Sequence, residues 1–118
     1  MTKHIVLGKT GEELAAQFLI LKGYEIVDRN WRYKRAELDI VAKKDEKLIF
    51  IEVKTRSSDY FGSPEQFVHF RKRQLLSRAA GAYILSHNHD WLIRYDIIAI
   101  LYNEDGTYSL THFEDAFF

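Results

Sequence analysis

Asp39 and the run Glu52-Val53-Lys54 bring two carboxylates and an amine onto neighbouring stretches of the chain. Carboxylate oxygens bind Mg²⁺ at about 2.0–2.1 Å, and two acids at strand-pair spacing can share one ion that keeps most of its waters. A metal beside a phosphodiester polarises it and lowers the pKa of bound water, while a neighbouring lysine positions or helps deprotonate that water. This set therefore suits metal-assisted hydrolysis of a phosphodiester. The plain alternative is a charge-paired hairpin face, because an E-x-K tripeptide is common by itself.

The elements that must position these groups lie between Ala36 and Arg56, which reads as two strands joined by a charged turn. Leu38, Ile40 and Ala42 alternate on one face, leaving Asp39 on the other. After the turn Ile49, Ile51 and Val53 share a face, leaving Phe50, Glu52 and Lys54 opposite. Directly opposed residues of an antiparallel pair point to the same side, so a shared core face requires paired numbers with an odd sum. The simplest such register loops through Asp45 and Glu46, pairs Lys44 with Lys47 and sets Asp39 against Glu52, with Cβ atoms roughly 4.5–5.5 Å apart. Like charges there are destabilising, and a cation reverses the sign. Asp-Glu is a poor type I′ turn, which counts against this register. Glu37 falls on the same face opposite Lys54 and reads as that lysine's charge partner, with metal ligation as a secondary candidacy.

Upstream, Thr10 followed by Glu13 is a capping-box pattern, and Gly11 to Lys22 places Leu14, Phe18 and Leu21 on one helical stripe before Gly23 stops it. Glu12 is then free on the first turn, close to the small Ala15 and Ala16, although an acid at a helix N-terminus is favourable without any function. Tyr24 to Tyr33 reads as a strand with a basic, aromatic far end that pairs with Glu37 to Ala42. Downstream, the loop SSDYFGS offers Tyr60 and Phe61 either to stack on a base or sugar or to anchor the loop. Ser63-Pro64-Glu65 starts a second helix running to about Leu85, with Phe67 or Val68, Leu75, Ala79 and Ala82 or Tyr83 at core spacing. His87 and His89 are a weak metal signal without a third ligand at usual spacing. Trp91 to Tyr102 reads as a strand buried on both faces from Ile97 onward, in which Asp96 pairs with Arg94 or Lys54. Asn103 to Gly106 turns the chain into a final edge strand, Tyr108 to Phe113. The order α-β-β-β-α-β-β predicts one α/β domain over residues 1–118.

With 118 residues, 47% hydrophobic and 29% charged, the composition is that of an ordinary globular protein. The absence of cysteine excludes disulfides and thiolate metal sites and fits a cytoplasmic location. No apolar run is long enough for a signal peptide or a membrane span. Formal net charge is zero, but Arg29, Arg32, Lys34 and Arg35 crowd one strand end, and Arg71, Lys72, Arg73 and Arg78 lie along the second helix. The tail carries Glu104, Asp105, Glu114 and Asp115. A basic side can coexist with an acidic end, although each cluster alone also suits a solvated face.

Taken in order, GEELAAQFLILKGYEIVDRNWR, AELDIVA, FIEVKTR, FGSPEQFV, RYDIIAI and HFEDAF resemble the YraN family of bacterial predicted endonucleases. More broadly the sequence resembles the PD-(D/E)xK, restriction-endonuclease-like superfamily, and the YraN family is similar to archaeal Holliday-junction resolvases. The resemblance implies an α-β-β-β-α-β core, here with an extra C-terminal strand, forming a mixed sheet flanked by helices. It implies an active site of Glu12, Asp39, Glu52 and Lys54, with the acids and the Val53 carbonyl holding Mg²⁺ or Mn²⁺ and Glu12 acting directly or through water. Leu38 stands where the superfamily has proline and Ala36 where nearer relatives have glycine, neither removing a catalytic group. The implied partner is DNA, with RNA also open, contacted by Arg32, Lys34, Arg35, Arg56, Arg71, Lys72 and Arg73. Symmetric cutting of both strands would favour a homodimer. The competing readings are a nucleic-acid-binding module on the same fold that does not cut, and an interaction protein using its C-terminal strands and Ala116-Phe117-Phe118 as a dimer surface.

Overall fold

The computed structural model describes residues 3–57, 70–88 and 90–116, with side chains over 10–57, 73–88 and 90–116. The chain order is α1 (Lys3–Leu21), β1 (Glu25–Tyr33), β2 (Ala36–Lys44), β3 (Lys47–Ser57), α2 (Phe70–His87), β4 (Leu92–Tyr102) and β5 (Tyr108–Phe113). The five strands form one sheet in sequence order. Neighbours are antiparallel except β3 and β4, which run parallel across the connection containing α2. The result is a five-stranded mixed sheet flanked by two helices, the α/β architecture expected for a restriction-endonuclease-like core. No helix among the described residues is long and apolar enough to cross a membrane.

The hairpin register is the expected one: Lys44 faces Lys47 and Ala42 faces Ile49, with the ladder ending at Ile40 and Ile51. Asp45 and Glu46 both adopt positive φ, at 52° and 61°, as a type I′ turn requires. The poor turn chemistry is overridden because β2 and β3 bury different apolar sets under the two helices, and a one-residue slip would swap those sets between faces.

Each face of the sheet packs a helix. Ala15, Ala16 and Leu19 of α1 bury Ile40, Ala42, Ile49, Ile51, Val53, Ile98 and Ile100. Leu76, Ala79, Ala80 and Tyr83 of α2 bury Leu38, Val41, Leu48, Phe50 and Ile97 on the other side. β4 is thus buried on both faces, as its apolar run predicts.

Three expectations are corrected. The first helix continues upstream through Lys3, so Thr10 is not its cap, and Glu13 instead pairs with Arg29 at 3.0 Å. Its buried stripe is Gly11, Ala15, Ala16 and Leu19, with Leu14 and Phe18 half-buried against the same core as expected, whereas Leu21 is 86% exposed. Gly23 does end the helix, at φ 90°, with Tyr24 N–H donating to the Leu19 carbonyl. Finally, Leu38 and Ile40 do not share a face: Leu38 packs with α2 and Ile40 with α1, so the alternation breaks at Asp39.

On α2, Leu75 is half-buried, and Leu76 and Ala80 join Ala79 and Tyr83 in the core. Tyr60, Phe61, the Ser63-Pro64-Glu65 helix start, Phe67 and Val68 lie outside the described residues, as do Phe117 and Phe118. Ala116 packs against the α2 cluster and its N–H donates to the Tyr95 carbonyl.

Candidate functional site

Where the β2–β3 ladder stops, the two strands part and Asp39 fills the opening. Its Oδ2 accepts the Val53 N–H at 2.9 Å. Burial, the Glu52 charge beside it and a side-chain hydrogen bond with Glu52 push the Asp39 carboxyl up to about 8 against the opposing Val53 N–H. Glu52 is buried and pairs with Lys54 Nζ at 3.0 Å, as residues two apart on a strand can.

From the other side α1 delivers Glu12. Close approach is possible because Gly11 lies against Thr55 of β3, where a Cβ would overlap the threonine hydroxyl. One carboxylate oxygen each from Glu12, Glu37 and Asp39 lies within 4.8 Å of the others. Burial and the charge of Glu37 hold the Glu12 carboxyl above the ordinary glutamate value, opposed by Arg29 and Asn30. A cleft of about 540 Å³ opens over Glu12, Arg29, Asn30, Arg32 and Glu37.

Glu37 corrects the sequence reading. It pairs with Arg32 at 2.9 Å rather than with Lys54, and it stands with Glu12 and Asp39 in the acid triangle. Glu52 is not in that triangle and reaches it through Asp39. The reason is the break in alternation at Asp39, which separates the hairpin faces that strict parity would have joined.

Sequence reasoning missed Asn30. At φ 53° it kinks β1, and with its amide oriented to donate, Nδ2 reaches Glu12 Oε2 at 3.1 Å and Glu37 Oε1 at 3.2 Å. The signal was available: asparagine is a poor β-former that tolerates the left-handed region, and it interrupts an otherwise β-forming run.

The basic residues divide. Arg32 is committed to Glu37 and Arg29 to Glu13. Lys34 and Arg35 form the exposed β1–β2 turn, with Lys34 Nζ 5.3 Å from the Tyr33 ring centre. Arg56 is half-buried and donates to the Thr55 carbonyl at 2.8 Å, and Arg73 is half-buried on α2. The side chains of Arg71 and Lys72 lie outside the described residues, as does His89. His87 stacks on Tyr83 at 3.9 Å and bonds Ser86 and the Tyr83 carbonyl, so its ring is occupied in packing α2. Asp96 pairs with Arg94, not Lys54.

A set of carboxylates suits a hard divalent cation. Burial and mutual repulsion already hold Asp39 and Glu12 toward their neutral forms, and a cation among them would reverse both effects. The donor set therefore fits Mg²⁺ or Mn²⁺.

The model of the Uncharacterised protein family UPF0102 matches residues 11–100. A UPF0102 protein of Flavobacterium psychrophilum is 49% identical over 118 residues, covering 100% of this chain and 98% of its own. One from Christiangramia forsetii is 48% identical with the same coverage, and one from Chlorobium phaeobacteroides is 45% identical over 95% of this chain and 93% of its own. The matched span contains Glu12, Asn30, Glu37, Asp39, Glu52 and Lys54.

Proposed function

We propose that this chain, which belongs to the uncharacterised protein family UPF0102, is a divalent-metal-dependent nuclease that hydrolyses phosphodiester bonds in DNA, branched or repair intermediates among them. The observation that carries this reading is the convergence of Glu12, Glu37 and Asp39 on one point, with Asp39 also touching the Glu52–Lys54 pair. The resemblance to the PD-(D/E)xK superfamily and to archaeal resolvases supports it.

Asp39, Glu12 and Glu37 would hold the ion, with Glu52 and the Val53 carbonyl as further oxygen donors. A divalent cation supplies Lewis acidity toward a phosphate oxygen and acidifies coordinated water. The Val53 N–H fixes the Asp39 carboxylate, and Asn30 braces Glu12 against Glu37. Lys54 stands on the same strand, held by Glu52, where its ammonium orients an attacking water or takes up negative charge on the phosphate. Arg32 sits at the cleft mouth, where exchanging Glu37 for a substrate phosphate would free that acid for the ion.

The test is a cleavage panel of single-stranded, duplex, flap and four-way DNA with Mg²⁺ and Mn²⁺. Cleavage is expected to fall roughly 100-fold or more in Asp39→Asn and Glu52→Gln. Cleavage that survives both substitutions sinks the proposal. Salt-sensitive binding with no cleavage under either ion would favour the binding module instead.

A further inference from the structure

On the side of the sheet opposite α1, the β1–β2 turn and α2 border two adjoining open hollows of about 230 and 950 Å³, both lined by Tyr33, Lys34 and Arg78. Arg35 lines the smaller and Gly81 the larger. Three features make this groove a built surface rather than a gap between elements.

The first is charge. Lys34, Arg35 and Arg78 are exposed, and among the described residues none of them makes a salt bridge and no acid lines either hollow. This contrasts with Arg29 and Arg32 across the turn, each held by a glutamate. The second is aromatic surface: half-buried Tyr33 lines both hollows, with Lys34 Nζ 5.3 Å from its ring centre. The third is Gly81. A glycine inside a helix is destabilising relative to alanine. Here no described atom lies within 4 Å of where its Cβ would be, so no packing contact among the described residues requires it. Its consequence is to keep the groove wall open.

We infer that this groove binds a single strand of nucleic acid, with Lys34, Arg35 and Arg78 on the phosphates and Tyr33 against a base or sugar. This deepens the nuclease reading and rests on it for the class of partner. The larger hollow, about 950 Å³ and open along α2, has room for a few nucleotides of one strand beside Lys34 and Arg78. β2 links the groove to the acids, since Ala36 lines the smaller hollow and Glu37 belongs to the acid triangle. A strand leaving the acid cleft would turn around the β1–β2 tip into the groove, so substrates with a single-stranded flank are preferred.

The experiment measures fluorescence anisotropy of a labelled single-stranded oligonucleotide with the full chain in EDTA, over a salt series. Gly81→Glu puts an acid in the groove while removing the helix-interior glycine, so its melting temperature is expected to stay level or rise while affinity falls tenfold or more. Lys34→Glu with Arg78→Glu is expected to reduce the slope of log affinity against log salt by about 1.4, near 0.7 for each phosphate deprived of its cation. Lys22→Glu, just past the far end of α1, is expected to leave affinity within twofold.

Unchanged affinity in Gly81→Glu and in the double variant overturns the inference. So does a polyglutamate peptide of equal charge that binds as tightly as the oligonucleotide, which would make the partner an acidic peptide. The two proposals fail separately. Normal oligonucleotide binding by the groove variants, alongside metal-dependent cleavage that Asp39→Asn abolishes, rejects the groove alone. Groove-dependent binding with no cleavage under any divalent ion rejects the nuclease alone.

Discussion

Asp39 carries the sharpest electrostatic consequence of the site. In the folded protein its carboxyl sits at about 8, first through burial and then through Glu52, whereas in an unfolded chain it would ionise near 3.8. Between those values the folded state holds a proton that the unfolded state has lost, so stability falls as pH rises through that window. Asp39→Asn removes the penalty while keeping an oxygen for the Val53 N–H. It is expected to stabilise the metal-free protein by on the order of 2 kcal/mol at pH 8 and little at pH 4, in urea titrations at each pH. Added Mg²⁺ should raise the melting temperature of the natural protein at pH 8 and not that of the substituted one. A group that stabilises the fold only as a salt-bridged acid would behave in the opposite sense.

The position of α1 on β3 decides whether Glu12 reaches the cluster, and that position depends on one missing side chain. A Cβ at Gly11 would overlap the Thr55 hydroxyl, and the helix would have to move away from the strand. Gly11→Ala is therefore expected to cost about 1–3 kcal/mol despite alanine's higher helix propensity. Adding Thr55→Ala removes the overlapping oxygen and leaves the Thr55 Cβ as neighbour at 3.3 Å, so the double variant should recover most of the loss. Urea unfolding measures the stability, and the Mg²⁺-induced shift in melting temperature follows Glu12. An additive pair would mean that the two residues do not meet.

Across the whole molecule, the end of the chain is fastened to its middle by a buried charge. Asp96 is fully buried in β4, with Arg94 donating at 2.9 and 2.8 Å, His112 Nε2 at 2.7 Å and the Asp115 N–H at 3.0 Å. Arg94 also donates to the Tyr24 hydroxyl at 2.8 Å, just beyond α1. Burial pushes the Asp96 carboxyl up, but hydrogen bonds from His112, Arg94 and the Asp115 N–H outweigh it and hold the carboxyl below the ordinary aspartate value. The stability this gives is present above the unfolded pKa of 3.8 and is lost as pH falls through the lower native value. Asp96→Ala leaves Arg94 without its buried counter-ion and is expected to cost about 3–5 kcal/mol in urea unfolding at neutral pH. The acid limb of its stability curve should be shallower than that of the natural protein. An effect under about 1 kcal/mol would show that the buried pair only offsets its own desolvation.

The sequence by itself determined the element order, the β2–β3 register and the burial of β4, because each follows from local apolar periodicity and the parity of strand pairing. It also placed Glu52 beside Lys54, since residues two apart on a strand must share a side, and it named Arg94 as a partner for Asp96. Only the tertiary structure decided the membership of the acid cluster. Parity assumes an unbroken pleat, and the pleat breaks at Asp39 opposite the kinked Asn30, which brings Glu37 in and leaves Glu52 behind. The distance from α1 to β3 was equally hidden, because Gly11 reads locally as a helix boundary and acquires its meaning from Thr55. Local pattern fixes which way a side chain points along one element; how far two elements stand apart depends on what each leaves out where they meet.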